Sequence, residues 1–530
     1  MKALIHKRRT PWLLLMLSCI VGVCAVGFTQ RREVPGGKMI AVPAGADLQA
    51  ALRKAHYGDT LVLEAGATYV GPIVLPFKAG AGANQYITIQ TSRLADLPPD
   101  ERIKPDVHAA SMARIVAPTE KAAVSTEAGA HHYRFIGIEF QPAPNSAYVF
   151  NVIDLGASDY TTLNQFPHHL IFDRCYVHST GLNHARRGFA LNSAETSILN
   201  SYVSGFAGAG DETQAIAGWN GPGPFQITNN YLEGAGEVML VGGGDPSIPN
   251  LVPSDIEIRR NYFRKRKEWV GRATVKGTLE LKNARRVLIE GNLIESDILT
   301  TAIVLTVRNQ GGNAPWSTIE DVVVTNNIVR HASTGVNILG SDNEHQSETA
   351  KRIRIENNLF VDLVPNEPNN IPYFVQTNGA EQIKVVHNTV QQEGNVLTGY
   401  GAPTHGFVFR DNIVQLNRYG VVCQISGMQC GDTNPFCNCY PDGVFRGNVF
   451  ADNLSTAADQ RFEDRYPSGN YFVASYQRVG FVDFARGNWR LSAESRTRNR
   501  ASDGSDPGLN VDLLVNAGAV AARNGNRVTR

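Results

Sequence analysis

The chain has 530 residues, a formal net charge of +1, and 42% hydrophobic against 19% charged residues. That balance excludes wholesale disorder and offers no overall attraction to nucleic acid or to a membrane surface, so electrostatic recognition must be local. Fifty glycines and 26 prolines favour turns and short strands over long helices.

A basic head (Lys2, Lys7, Arg8, Arg9) precedes an apolar run from Trp12 to Phe28. This pattern predicts a secretory signal over residues 1–30 and a secreted or periplasmic protein, with an uncleaved N-terminal anchor as the alternative. Residues 38–75 read as an N-terminal cap and first strands. Leu48, Ala51, Leu52 and Ala55 share one face of a short helix that would cover the open end of a stacked sheet.

Residues 76–455 carry a repeat. "ITNNYL", "IRRNYF", "IEGNLI", "VTNNIV", "IENNLF", "VHNTV", "FRDNIV" and "FRGNVF" place Asn230, Asn261, Asn292, Asn327, Asn358, Asn388, Asn412 and Asn448 at intervals of 24 to 36 residues. Ser201 and Cys175 hold the same slot in weaker upstream copies. Each unit is a short β-branched or aromatic strand, a bend at Asn, and another short strand, with no helix-length periodicity. Asn tolerates left-handed geometry, and its amide can bond neighbouring backbone, so stacked copies predict a buried amide ladder. The fold class is all-β: a right-handed parallel β-helix solenoid of about ten coils with a short N-terminal helical cap and variable loops at one corner. Residues 456–530 read as a last coil and C-terminal cover ending in a basic tail.

Cys423, Cys430, Cys437 and Cys439 crowd into one loop, and in an exported protein this predicts two disulfides of unassigned pairing. Cys175 reads as a buried thiol.

Period-2 alternation gives the facing of the strands. In "VKGTLELK", Val275, Gly277, Leu279 and Leu281 point inward, leaving Lys276, Thr278, Glu280 and Lys282 outward. In "AIVLTVRN", Ile303, Leu305 and Val307 point inward and Arg308 outward. Aligning the apolar positions lays Arg308 over Lys282, about 4.8 Å away across parallel strands. The flanking "VMLVGGGD" and "VNILGSDN" carry glycine at that level, which predicts a groove. Loop residues 264–272 add Arg264, Lys265, Arg266, Lys267 and Arg272. With Lys276 and Trp316 they form a candidate surface for an anionic polymer.

The stretch "LELKNARRVLIEGNLIES…AIVLTVRNQ" resembles the chondroitinase-B and alginate-lyase group of β-helix polysaccharide lyases over about 35 residues. The resemblance implies β-elimination on a uronate polymer, with Lys282 as base and Arg308 as acid. It also implies calcium, held by acidic residues shortly before the lysine. This strand offers Glu280 alone, so a calcium site would rest on it, and metal dependence stays open. Guanidinium keeps its charge, so Arg308 suits carboxylate clamping better than proton donation. The expected protein is a monomer acting on an anionic polysaccharide, with no nucleic-acid partner and no membrane contact beyond the signal segment.

Two other readings compete. An inverting glycoside hydrolase on the same scaffold would draw its acids from Asp211, Glu212, Glu237 and Asp245, with Trp219 or Trp316 as a sugar platform. A secreted carbohydrate-binding or adhesin solenoid would use the long loops alone. His331, His345, His387 and His405 show no metal spacing, and His387, beside the Asn ladder, reads as structural.

Overall fold

In the computed structural model, residues 37–417, 419–425, 435–451 and 465–521 are described. The expected signal segment, Cys430 and the basic tail 523–530 lie outside them.

Three parallel sheets build the molecule, with 14, 14 and 12 strands among the described residues. Each coil passes through the first, second and third sheets in turn, as in Ser254–Arg259, Tyr262–Lys265 and Leu279–Leu281. These are the coils of a right-handed parallel β-helix. They outnumber the asparagine repeats because the coils up to Ser201 turn without an asparagine in the slot. Inward leucine, isoleucine, valine and phenylalanine side chains stack into one continuous buried core.

The amide ladder is present and fully buried. The Asn230 backbone N–H donates to Asn261 Oδ1 at 2.9 Å. Its Nδ2 donates to the same oxygen at 3.0 Å and to the Ile198 carbonyl at 2.8 Å. The pattern repeats through Asn261, Asn292, Asn327, Asn358, Asn388 and Asn412 to Asn448, which donates to Asn470. Upstream, Ser201 N–H donates to Asn230 Oδ1, and Cys175 N–H to Ser201 Oγ, both at 2.9 Å. Burial pushes the Cys175 thiol up to about 12. The left-handed residue is the one before each ladder amide: Asn229, Arg260, Gly291, Asn326, Asn357 and His387 have φ between 52° and 66°. The ladder asparagine supplies hydrogen bonds, and its predecessor makes the bend.

A second left-handed column opens the strands of the first sheet. His132, His169, Glu195, Asp255, Arg286, Asp321, Arg352 and Gln382 all have positive φ. Strand register places Asp255, Arg286, Asp321 and Arg352 in one stack. Asp255 pairs with Arg286 at 2.7 Å, and Asp321 with Arg352 at 2.6 Å.

The cap forms as the sequence predicts. Helix Leu48–Lys54 starts at Asp47, whose carboxylate accepts the Ala50 N–H at 2.8 Å, and it buries Leu48 and Leu52. Gln49 exchanges both hydrogen bonds of its amide with Val74, at 2.7 and 2.9 Å, and so satisfies the exposed edge of the first strand of the third sheet.

At the other end, Tyr471–Val473 adds a strand to the second sheet. Residues 476–521 then fold back along its outer face, where Trp489, Leu509 and Leu514 pack on Leu359, Ile413 and Val449. This segment is a lateral strap rather than only an end cover. His387 belongs to it structurally, facing the Gly508 carbonyl at 3.3 Å and Asp503 at 3.1 Å.

Long loops leave two corners of the coil, not one. Residues 266–278 join the second and third sheets, while 242–253, 307–318 and 340–350 join the third to the first. Cys423 and Cys439 are joined in a disulfide, and Cys437 is also disulfide-bonded.

Candidate functional site

The strand Leu279–Leu281 pairs on one side with Met239–Val241 and on the other with Thr301–Thr306. Leu279, Leu281, Ile303, Leu305 and Val307 are buried, as the alternation requires. The strand is shorter than its sequence pattern. Thr278 is buried before it begins, and Lys276 lies in the preceding loop.

At the C-terminal end of the strand, Lys282 N–H donates to the Val241 carbonyl at 2.7 Å, and Arg308 N–H donates to the Lys282 carbonyl at 2.9 Å. Leu281 pairs with Leu305, so Thr306 rather than Arg308 stands level with Lys282, and Arg308 meets Lys282 through this backbone bond instead of lying directly over it. Gly242 and Gly243 have φ of 91° and 85°, and a Cβ on Gly243 would come within 3.2 Å of Lys282 Cδ. The missing side chain is where the lysine lies. Gly340 has another reason to be glycine, since a Cβ there would strike the Gly379 backbone at 2.4 Å.

Lys282 Nζ stands 3.8 Å from Glu280 Oε1. Glu280 is almost buried, accepts from Thr306 Oγ1 at 3.3 Å, and meets Glu237 from the coil before it. Burial raises the Glu280 carboxyl to about 7. Lys282 pulls it down, and Glu237 pushes it further up. Glu237 is fully buried. Its Oε2 accepts from Gln214 at 2.8 Å, and its Oε1 has no hydrogen-bond partner. Two carboxylates in contact are both acceptors, so a proton or a cation has to lie between them.

The network continues outward. Lys276 bonds Glu212 and lies 4.0 Å from Glu237 Oε1. Gln214 Oε1 accepts from Arg187 at 2.9 Å, and the Arg187 guanidinium lies 5.4 Å from the Trp219 ring centroid. Arg308 Nη1 donates to Asn343 Oδ1 at 2.6 Å and stands 3.8 Å from Asp342, so the loop after the next coil fixes its direction.

The basic loop differs from the sequence reading. Lys265 is wholly buried, with its ammonium donating to the carbonyls of Gly234, Ala235 and Gly236, and burial lowers it to about 7. It cannot touch a polymer. Arg264 pairs with Asp297 at 3.1 Å and Arg266 with Glu233 at 2.5 Å, which spends their charge inside the molecule. Lys267 and Arg272 remain exposed. Trp316 is half-buried and donates from Nε1 to the Leu251 carbonyl at 3.0 Å. It fastens two loops together. Asp245 does likewise, accepting the N–H groups of Gly311 and Asn313 at 2.9 Å. Asp211 accepts from Tyr148 at 2.7 Å.

No protein-family model matches the chain. No curated protein matches it either. Among solved structures, it is similar to an alginate lyase from a Paenibacillus species, at 15% identity over 73% of this chain and 98% of that one, with a TM-score of 0.35. A mannuronic-acid-specific polysaccharide family 6 lyase from human gut microbiota shows 12% identity over 82% and 91%, with a TM-score of 0.45. A surface adhesin of Streptococcus pneumoniae shows 10% identity over 76% and 86%, with a TM-score of 0.42. With its three parallel sheets and continuous core, the chain is a right-handed parallel β-helix protein.

Proposed function

We propose that the outer face of the third sheet around Lys282 cleaves an anionic, uronate-containing polysaccharide by β-elimination in an exported, monomeric protein. The observation that carries this reading is the position of Lys282, which lies over the side-chain gap at Gly243 with its ammonium beside Glu280 and its backbone carbonyl bonded to Arg308 N–H. A uronate bound there would set its carboxylate toward Arg308. The C5 proton, α to that carboxylate, becomes removable when positive charge stabilises the enolate-like state. The Lys282 amine takes this proton. The electron pair left on C5 forms the C4–C5 double bond, the C4–O bond breaks, and the departing oxygen is protonated from water. The exposed Lys267 and Arg272 supply outlying positive charge along the chain of sugars.

Calcium fits the acidic pair. Glu237 and Glu280 bring hard oxygen donors together, and one of these atoms is buried without a hydrogen-bond partner. Glu237 and Glu280 would hold the ion, which would add positive charge beside the substrate carboxylate when bound.

An inverting hydrolase is disfavoured because its candidate acids are engaged elsewhere: Asp211 accepts from Tyr148, Asp245 from the Gly311 and Asn313 N–H groups, and Glu212 from Lys276. Assaying purified protein on alginate, pectate, chondroitin and dermatan, with absorbance of the unsaturated uronate as readout, tests the proposal. A rising signal that disappears in Lys282→Ala is expected. Polymer binding without product on all four would leave the carbohydrate-binding solenoid as the better reading.

A further inference from the structure

Two pairs of adjacent histidines, His131–His132 and His168–His169, open neighbouring strands of the first sheet, with His131 aligned on His168. Consecutive residues on an ordinary strand point to opposite faces. Here the second residue of each pair has φ of 58° or 53°, and all four rings gather on one side. His132 stacks on His169 with centroids 4.3 Å apart, and His131 on His168 at 4.9 Å. Within the pairs, Nδ1 faces Nδ1 at 2.8 and 2.7 Å. One ring nitrogen from each of His132, His168 and His169 lies within 4.8 Å of the others.

A π-stack alone does not account for the whole arrangement. His132 is 6% exposed, and its Nε2 has no hydrogen-bond partner. An orphaned buried ring nitrogen costs about 1–3 kcal/mol, so it calls for an occupant. His169 Nε2 is held by Glu195 at 2.8 Å, which leaves Nδ1 facing the cluster. A carboxylate on the far nitrogen of an imidazole is the usual outer support of a metal-bound histidine. Tyr57, whose hydroxyl is 3.2 Å from His131 Nδ1, closes another side.

We propose that His132, His168 and His169, with Glu195 behind His169, bind a zinc-type divalent ion that staples two successive coils near the N-terminal end. Neutral nitrogen donors select late first-row ions over calcium or magnesium. Tetrahedral zinc with bonds of about 2.0–2.1 Å sets ligand nitrogens roughly 3.3 Å apart. The 2.7 Å pair would therefore open slightly, and His132 would close in. The site lies on the first sheet and needs nothing from the proposed lyase reading.

The test uses tag-free, chelator-stripped full chain dialysed against micromolar zinc, with bound metal counted by mass spectrometry. One zinc per chain is expected. His132→Ala combined with His169→Gln should lose it while keeping the β-sheet circular dichroism. His387→Ala, in the separate His387–Asp411–Asp503 cluster, should keep it. If the double variant does not fold, His169→Gln alone, changing a partly exposed ring, should weaken zinc at least about 10-fold in competition with a chromophoric chelator. A wild-type chain without zinc, an unaltered count or affinity in the folded variants, or loss of the ion in His387→Ala would overturn the proposal.

Discussion

Glu237 and Glu280, on successive coils, bring two buried carboxylates together beside Lys282. Such a pair stays together only by holding a proton or a cation, and the consequences can be measured.

The first is the dependence of stability on pH. Folded Glu280 keeps its proton up to about 7, against an ordinary value of 4.5. Its contribution to stability is full below 4.5 and is lost as pH rises through 7. Lys265 works in the opposite sense. Its folded value of about 7 lies below the ordinary 10.5, so stability from this group rises with pH between them. Melting temperature against pH should flatten below 7 in Glu280→Gln and above 7 in Lys265→Met.

Calcium should compete with the shared proton. Millimolar calcium is expected to raise the melting temperature at pH 8, where the pair is ionised, and to have little effect at pH 5. A concentration a hundred times the dissociation constant corresponds to about 2.7 kcal/mol. The shift should vanish in Glu237→Gln combined with Glu280→Gln. A shift of equal size in that variant would place the ion elsewhere.

Three lysine variants separate catalysis from a basic surface. Lys282→Ala should lower turnover by at least about 10²-fold. Lys282→Arg should do the same, because guanidinium does not give up its proton. Lys276→Ala should leave turnover largely intact, because its ammonium is engaged with Glu212 and near Glu237 rather than with the reacting sugar. Equal loss in Lys276→Ala, or activity in Lys282→Arg, would reduce the patch to a binding surface.

Asn292→Ala should destabilise strongly. The change removes the acceptor of the Asn261 N–H and the donor to the Ile258 carbonyl. Each orphaned group costs about 1–3 kcal/mol. Urea unfolding with an unchanged midpoint would contradict the burial of the ladder.

Much of this molecule can be read from its sequence, because one side chain does the same job in each coil from Asn230 to Asn448. The asparagines mark the turn, and Leu279, Leu281, Ile303 and Leu305 orient the strands that carry Lys282 and Arg308. Lys265 misleads because its charge suggests solvent. Yet Phe263, two residues earlier on the same strand, points inward, and that parity already places the lysine inside. The contact between Glu237 and Glu280 depends on register across coils separated by a long loop, which the local pattern does not fix. The histidine pairs escape for the same reason, since their rings meet only after a full coil and a left-handed bend.

The strap along the second sheet changes how the solenoid comes apart. In a simple stack each coil grips only its neighbours, and either end can peel away one turn at a time. Here Asn357 bonds Asn510, Thr389 Oγ1 accepts from Leu509 N–H, and Asp411 accepts from Ser502, so the tail ties three coils together across the grain of the stack. Drawn out by its two ends, the molecule has to shed this brace before its last turns can unwind singly. Its C-terminal portion should yield in one larger step, the remaining coils in smaller ones.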